Sequence, residues 1–209
     1  MSTVSVQAGA APATGDARER ILSAARRHFA TAGFEGAATR QIAADAGVAQ
    51  SLLLYHFGSK DALWRAVMDE LFAGLTARMA VAAREARGEP VQARLLAVIR
   101  AFIAICAEDA DIHRIMTIEG RQPSERLKWL VDRHLRENHA QACALIREAQ
   151  ATGVVRAGDP TLLYYSFIAI AGTAFSLAPE IALVSGSSRT VDPEAIEGLI
   201  RSLLFVSGE

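Results

Sequence analysis

The residues best suited to chemistry lie between Thr39 and Lys60, and what they offer is hydrogen bonding rather than bond breaking. Gln50 carries a carboxamide that can make two hydrogen bonds to adenine. Arg40 carries a guanidinium that fits guanine, and Leu52 an apolar surface for a thymine methyl. Thr39, Tyr55, His56 and Lys60 carry donors for backbone phosphates, contacts that position a protein without reading sequence. Ser51 falls on the same outward set. Elsewhere the chain lacks a bond-making constellation: no serine sits in a G-x-S-x-G setting, and there is no P-loop or dinucleotide fingerprint. Cys106 and Cys143 lie in apolar stretches without CxxC spacing and without a histidine at a spacing that suggests catalysis. They read as buried thiols in a reducing compartment. His134 and His139 are five apart and do not share a helical face as an i, i+4 pair would, so neither they nor His113 suggest a metal site. The expectation is a protein that is not an enzyme and carries no cofactor and no metal.

The elements that must hold those residues are helical. Of 209 residues 51% are hydrophobic and 22% charged, the balance of a chain that folds rather than stays disordered. Alanine and leucine dominate while β-branched and aromatic residues are thin, which favours helix, and no segment sustains a period of two. The fold class is therefore all-α, with about nine helices. Asp16 can cap a first helix ending at Gly33; a second fits Thr39 to Ala46 and a third Ala49 to Phe57. Ser59 can cap a fourth, Pro90 can open a fifth, and a short helix runs from about Ala110 to Ile118. Ser124 starts a long helix ending at Gly153, and Asp159-Pro160 and Asp192-Pro193 begin two more.

Residues 1–15, rich in small and uncharged side chains, read as a disordered lead-in. Residues 16–65 read as a DNA-binding domain with a helix-turn-helix at about 38–57, and residues 66–209 as a second helical domain. Ala43 is small enough for the paired helices to cross closely, and Gly47 can take the left-handed turn conformation. Ile42, Ala46, Val48, Leu53 and Phe57 would pin the pair to a core shared with Phe29 and Phe34. The formal net charge is -1, so any nucleic-acid surface must be local; the motif, not the charge, carries that reading.

Gly33-Phe34, Ile42-Ala43, Ala46-Gly47-Val48 and Tyr55-His56-Phe57-Gly58-Ser59-Lys60 together resemble the N-terminal DNA-binding domain of the TetR family. The likeness is close over roughly residues 16 to 65 and rests beyond them on helix order and length. It implies base contacts at Arg40 and Gln50 and phosphate contacts at Thr39, Tyr55, His56 and Lys60. It also implies a homodimer on a near-palindromic operator, repression, a cytoplasmic location, and release by a small-molecule inducer. The inducer would enter a cavity for which Met116, Trp129, Tyr164 and Phe167 are candidate walls. The dimer would form through the helices at about 160–178 and 193–206. Two departures stand out: alanine occupies 37–38 and 49, where the family usually has hydroxyls that cap helices. A helical ligand-binding or adaptor protein that no longer engages DNA is the rival reading. A membrane span over the uncharged stretch between Asp159 and Glu180 fits less well. Tyr164, Tyr165, Ser166, Thr173 and Ser176 interrupt it, and no basic cluster flanks it.

Overall fold

Side chains able to cap a helix set half of the helix starts. The computed structural model describes residues 16–186 and 191–206. Helix α1, Ala17–Gly36, begins where the Asp16 carboxylate accepts from the Arg18 amide. Its expected end at Gly33 is instead a kink, with Gly33 at φ 67° and the helix resuming to Gly36. Then follow α2, Thr39–Asp45, and α3, Gln50–Phe57. In α4, Lys60–Glu85, the Ser59 hydroxyl accepts from the Ala62 amide at 3.0 Å. Helices α5, Val91–Glu108, and α6, Asp111–Glu119, come next. Helix α7 starts at a Ser124 cap, runs Glu125–Leu130, passes through a π-turn at Val131–Leu135 and continues as Arg136–Ala151. Asp159 and Asp192 cap α8, Pro160–Ser176, and α10, Pro193–Leu204.

The all-α expectation holds, and the helix count needs one correction. The helix expected over about 160–178 stops at Ser176, and the chain bends by 68° into α9, Ala178–Ser185. Pro179 sits in the first turn of α9, where a missing amide proton costs nothing and the ring favours the helical φ. With α7 taken as one helix, the described residues hold ten rather than nine. The expectation for residues 1–15 lies outside the described residues. No single helix among the described residues is long and apolar enough to cross a membrane. The α8–α9 pair reaches that length and composition only across its bend.

Two apolar clusters organise the helices. The first gathers Ile21, Phe29, Ile42, Leu53, Leu63, Trp64 and Phe72, and it also takes in Ile112, Ile115 and Leu130 from α6 and α7. The second joins α5, α7, α8 and α10 around Ile99, Cys106, Ala149, Ala171, Phe175 and Ile200. Helix α6 links them. On one side Arg26 of α1 forms ion pairs with Asp109 and Asp111, and Ile118 lies against the kink at Gly33. On the other side His113 presses its ring onto the backbone of Gly172 in α8. A Cβ added at Gly172 would stand 2.0 Å from His113 Nδ1, so the helices approach this closely because position 172 has no side chain.

Candidate nucleic-acid interface

The candidate interface is built from α2, α3 and the start of α4. Gly47, at φ 65°, makes the turn between α2 and α3, and the Val48 amide donates to the Ala43 carbonyl at 3.0 Å. Ile42, Ala43, Ala46 and Leu53 are buried, and Val48, Phe57 and Phe34 pack against them, which fixes the pose of α3. The apolar set expected to pin the two helices is the set that does so.

At 3.6 residues per turn, Ser51 and Tyr55 stand roughly opposite the inward stripe of Leu53 and Phe57. Tyr55 is 84% exposed, an unusual state for a large aromatic ring, and touches only the edge of the neighbouring His56 ring among the described aromatic contacts. Gln50 and Leu54 form one flank of this face, and Leu52 and His56 the other. Arg40 is exposed at the start of α2 beside it. His56 is half-buried between the rings of Tyr55 and Phe57. Lys60 begins α4 with its ammonium 4.6 Å from the centre of the Phe34 ring and 3.3 Å from the Glu35 carbonyl. Of the eight residues, Thr39 and Arg40 open α2, Gln50, Ser51, Leu52, Tyr55 and His56 lie along α3, and Lys60 opens α4. Leu54 was missed by the sequence reading. Its signal was the i+4 spacing from Gln50, and at 41% exposed it is as open as Leu52 at 36%.

Gln50 and Thr39 touch: the Gln50 Nε2 donates to Thr39 Oγ1 at 3.0 Å. The N-cap residues Ala38 and Ala49 make no side-chain capping bond, and in the first turn of α3 the Leu52 amide donates to the Ala49 carbonyl at 3.0 Å.

The candidate ligand walls divide. Met116 and Trp129 pack against the first cluster, and Tyr164 and Phe167 against the second, so the structure does not bring the four into one group. Trp129 borders an open surface cleft of about 500 Å³ with Arg65, Glu125, Lys128, Asp132 and Arg133. Tyr164 is half-buried beside His139, and burial pushes its phenol up to about 12. One reading of the cysteines is corrected. His139 precedes Cys143 by one helical turn and places Nε2 3.4 Å from the Cys143 sulfur, because i, i+4 residues share a face. Cys106 has burial as its main influence, which pushes its thiol up to about 12 and leaves it unreactive at neutral pH.

Comparison with known proteins places this geometry. The bacterial regulatory proteins, tetR family, match residues 21–67. The HTH-type transcriptional repressor AcnR of Corynebacterium efficiens is 40% identical over 62 residues, 28% of this chain and 33% of its own length. The HTH-type transcriptional regulator RutR of Escherichia coli K12 is 46% identical over 54 residues, 26% of each chain. The chain therefore spans about a third or less of the curated relatives it matches. The crystal structure of AibR in complex with isovaleryl coenzyme A and operator DNA superposes over 90% of this chain and 98% of its own. Its TM-score is 0.73 at 20% identity, a likeness of fold. Residues 21–67 thus match the tetR family of bacterial regulatory proteins, and the chain as a whole shares the fold of AibR.

Proposed function

We propose that the protein is a transcriptional regulator, a repressor by default, that binds a near-palindromic operator as a homodimer. The observation that carries this is the face of α3: Gln50, Ser51 and Tyr55 stand outward on a helix whose opposite side is fully committed to the core. Arg40 and Gln50 would reach base edges, while Thr39, Tyr55, His56 and Lys60 would hold phosphates, with Ser51 and Leu52 completing the surface. In this reading residues 16–65 are the DNA-binding domain, residues 66–209 sense a ligand and dimerise, and the protein acts in the cytoplasm. Two recognition helices must lie about 34–36 Å apart, or a multiple of that, to read both half-sites.

The ligand reading has support from fold likeness: AibR was crystallised with an acyl-coenzyme A and DNA together. A small molecule that prefers the geometry unable to bind DNA would release the operator, with a coupling no larger than that preference. Met116, Trp129, Tyr164 and Phe167 are its proposed contacts, as two separate pairs, one against each apolar cluster.

Fluorescence anisotropy with DNA from upstream of the protein's own gene tests the proposal, with scrambled DNA and a salt series as controls. Selective binding should weaken as salt rises, and Arg40→Ala and Tyr55→Ala should each lower affinity by about tenfold. Failure to distinguish any upstream or neighbouring intergenic DNA from scrambled DNA would favour the rival, a ligand-binding module whose helix-turn-helix is silent. Alanine at 37–38 and 49 is the observation on that side.

A further inference from the structure

We infer that Thr39 is a positioning residue for base reading: held by a phosphate, it turns the Gln50 carboxamide to read adenine in preference to guanine. The inference rests on the regulator reading above and adds a specificity mechanism to it. The observation is the hydrogen bond between the first residues of α2 and α3, with Gln50 Nε2 3.0 Å from Thr39 Oγ1.

A glutamine carboxamide offers the groove different edges depending on its rotation. With Nε2 turned to Thr39, Gln50 keeps Oε1 and one remaining N–H for the DNA. That acceptor and donor match the N6 amine and N7 of adenine. With Oε1 turned to Thr39 instead, both N–H groups would face outward and match the two acceptors of guanine, O6 and N7. Gln50 alone is therefore ambiguous, and something must choose its rotation.

The Thr39 hydroxyl makes that choice through its single proton. A hydroxyl can donate once and accept twice. When its proton goes to a phosphate oxygen, it can only accept from Gln50, and only Nε2 can be the donor. A phosphate contact and a base contact are then two ends of one hydrogen-bond chain, from Gln50 to Thr39 to the backbone, and each bond polarises the next. Ala38, the N-cap of α2, has no hydroxyl to compete for the same phosphate. The Gln50–Thr39 bond is solvent-exposed in the free protein, so it adds little to folding and its loss leaves the domain intact.

The test is operator binding by Thr39→Val, which keeps the shape of the side chain and removes the hydroxyl. Wild-type protein is first titrated against operators carrying each base pair in turn, and Gln50→Ala identifies the position that Gln50 reads. At that position wild type should prefer A·T over G·C by about tenfold, and Thr39→Val should bring the ratio to about twofold or less. Thr39→Ser should restore it. Replacing the single phosphate nearest that base by a neutral methylphosphonate should relax the same ratio with wild-type protein. A Thr39→Val protein that loses affinity equally on all operators, with the A·T preference intact, overturns the inference and leaves the regulator reading standing. A wild type that selects no operator overturns both. Thermal unfolding of Thr39→Val within a degree or two of wild type establishes that the ratio reports positioning and not a damaged fold.

Discussion

The His113 ring lies against Gly172 with its Nε2 3.4 Å from the Thr173 hydroxyl, and desolvation lowers its pKa below the ordinary histidine value. Unfolded, the same ring takes up a proton near pH 6.5, whereas in the folded chain it resists until lower pH. Between those two values the unfolded state binds more protons, so stability declines as pH falls below about 6.5. His134 is shifted the same way, chiefly by burial, although the neighbouring Asp69 opposes the shift. Denaturant unfolding at pH 7.5 and pH 5.5 should show a loss of stability in the acid arm that shrinks in His113→Asn. An identical loss in both proteins would remove His113 from the account. This behaviour was not legible in the sequence, where His113 is one of five histidines and nothing near it on its short helix marks a close neighbour. Its burial depends on a glycine that only the packing of α6 on α8 brings beneath it. The same limit applies to the proposed ligand walls. Met116, Trp129, Tyr164 and Phe167 are all recognisable as inward-facing, but which helices share a cavity is decided by how they pack. By contrast the outward-facing residues of α3 were readable almost completely, because a short helix with one buried stripe leaves its other positions outward by periodicity alone.

At the scale of elements, α2 and α3 begin on alanines whose backbone already lies in the extended region, Ala38 at ψ 127° and Ala49 at ψ 144°. A serine there would need no backbone change to accept from an amide in the first turn. Ala49→Ser should therefore raise stability by about 1 kcal/mol, read as a higher denaturant midpoint at unchanged slope. An unchanged or lower midpoint would mean that the first turn of α3 has other partners for its amides. Half of the helix starts were legible for the same physical reason that this one is weak. Asp16, Ser59, Ser124, Asp159 and Asp192 each supply an oxygen at the N-cap, and the structure uses every one. Two features escaped. The bend before α9 carries no glycine and no exposed capping residue, and Pro179 is as compatible with a new first turn as with a loop. The π-turn at Val131–Leu135 has no compositional mark at all; it seats His134 between Phe72 and Trp129, a tertiary demand.

For the molecule as a whole, the two long faces left open by the second cluster are apolar. Leu162 and Tyr165 on α8 are 68% and 54% exposed, and Leu199 and Leu203 on α10 are 46% and 44%. Scattered single apolar residues on a surface need no explanation, but four large ones on two neighbouring helices fit the self-complementary interface of the proposed homodimer. On the proposed homodimer, Leu203→Glu should shift the protein from dimer to monomer in sedimentation velocity. It should also reduce operator affinity by more than about a hundredfold, because a monomer engages one half-site at a time. A variant that sediments as wild type would place the interface elsewhere.

The contact between His113 and Gly172 also ties two distant codons to one history. At 172 even a methyl group would strike the imidazole at 2.0 Å, so a single-step change there is closed for as long as histidine stands at 113. Were the ring first replaced by something smaller, the same change would become tolerable, and the return to histidine would close in its turn. The order in which mutations arrive, rather than their sum, decides which descendants of this chain can fold.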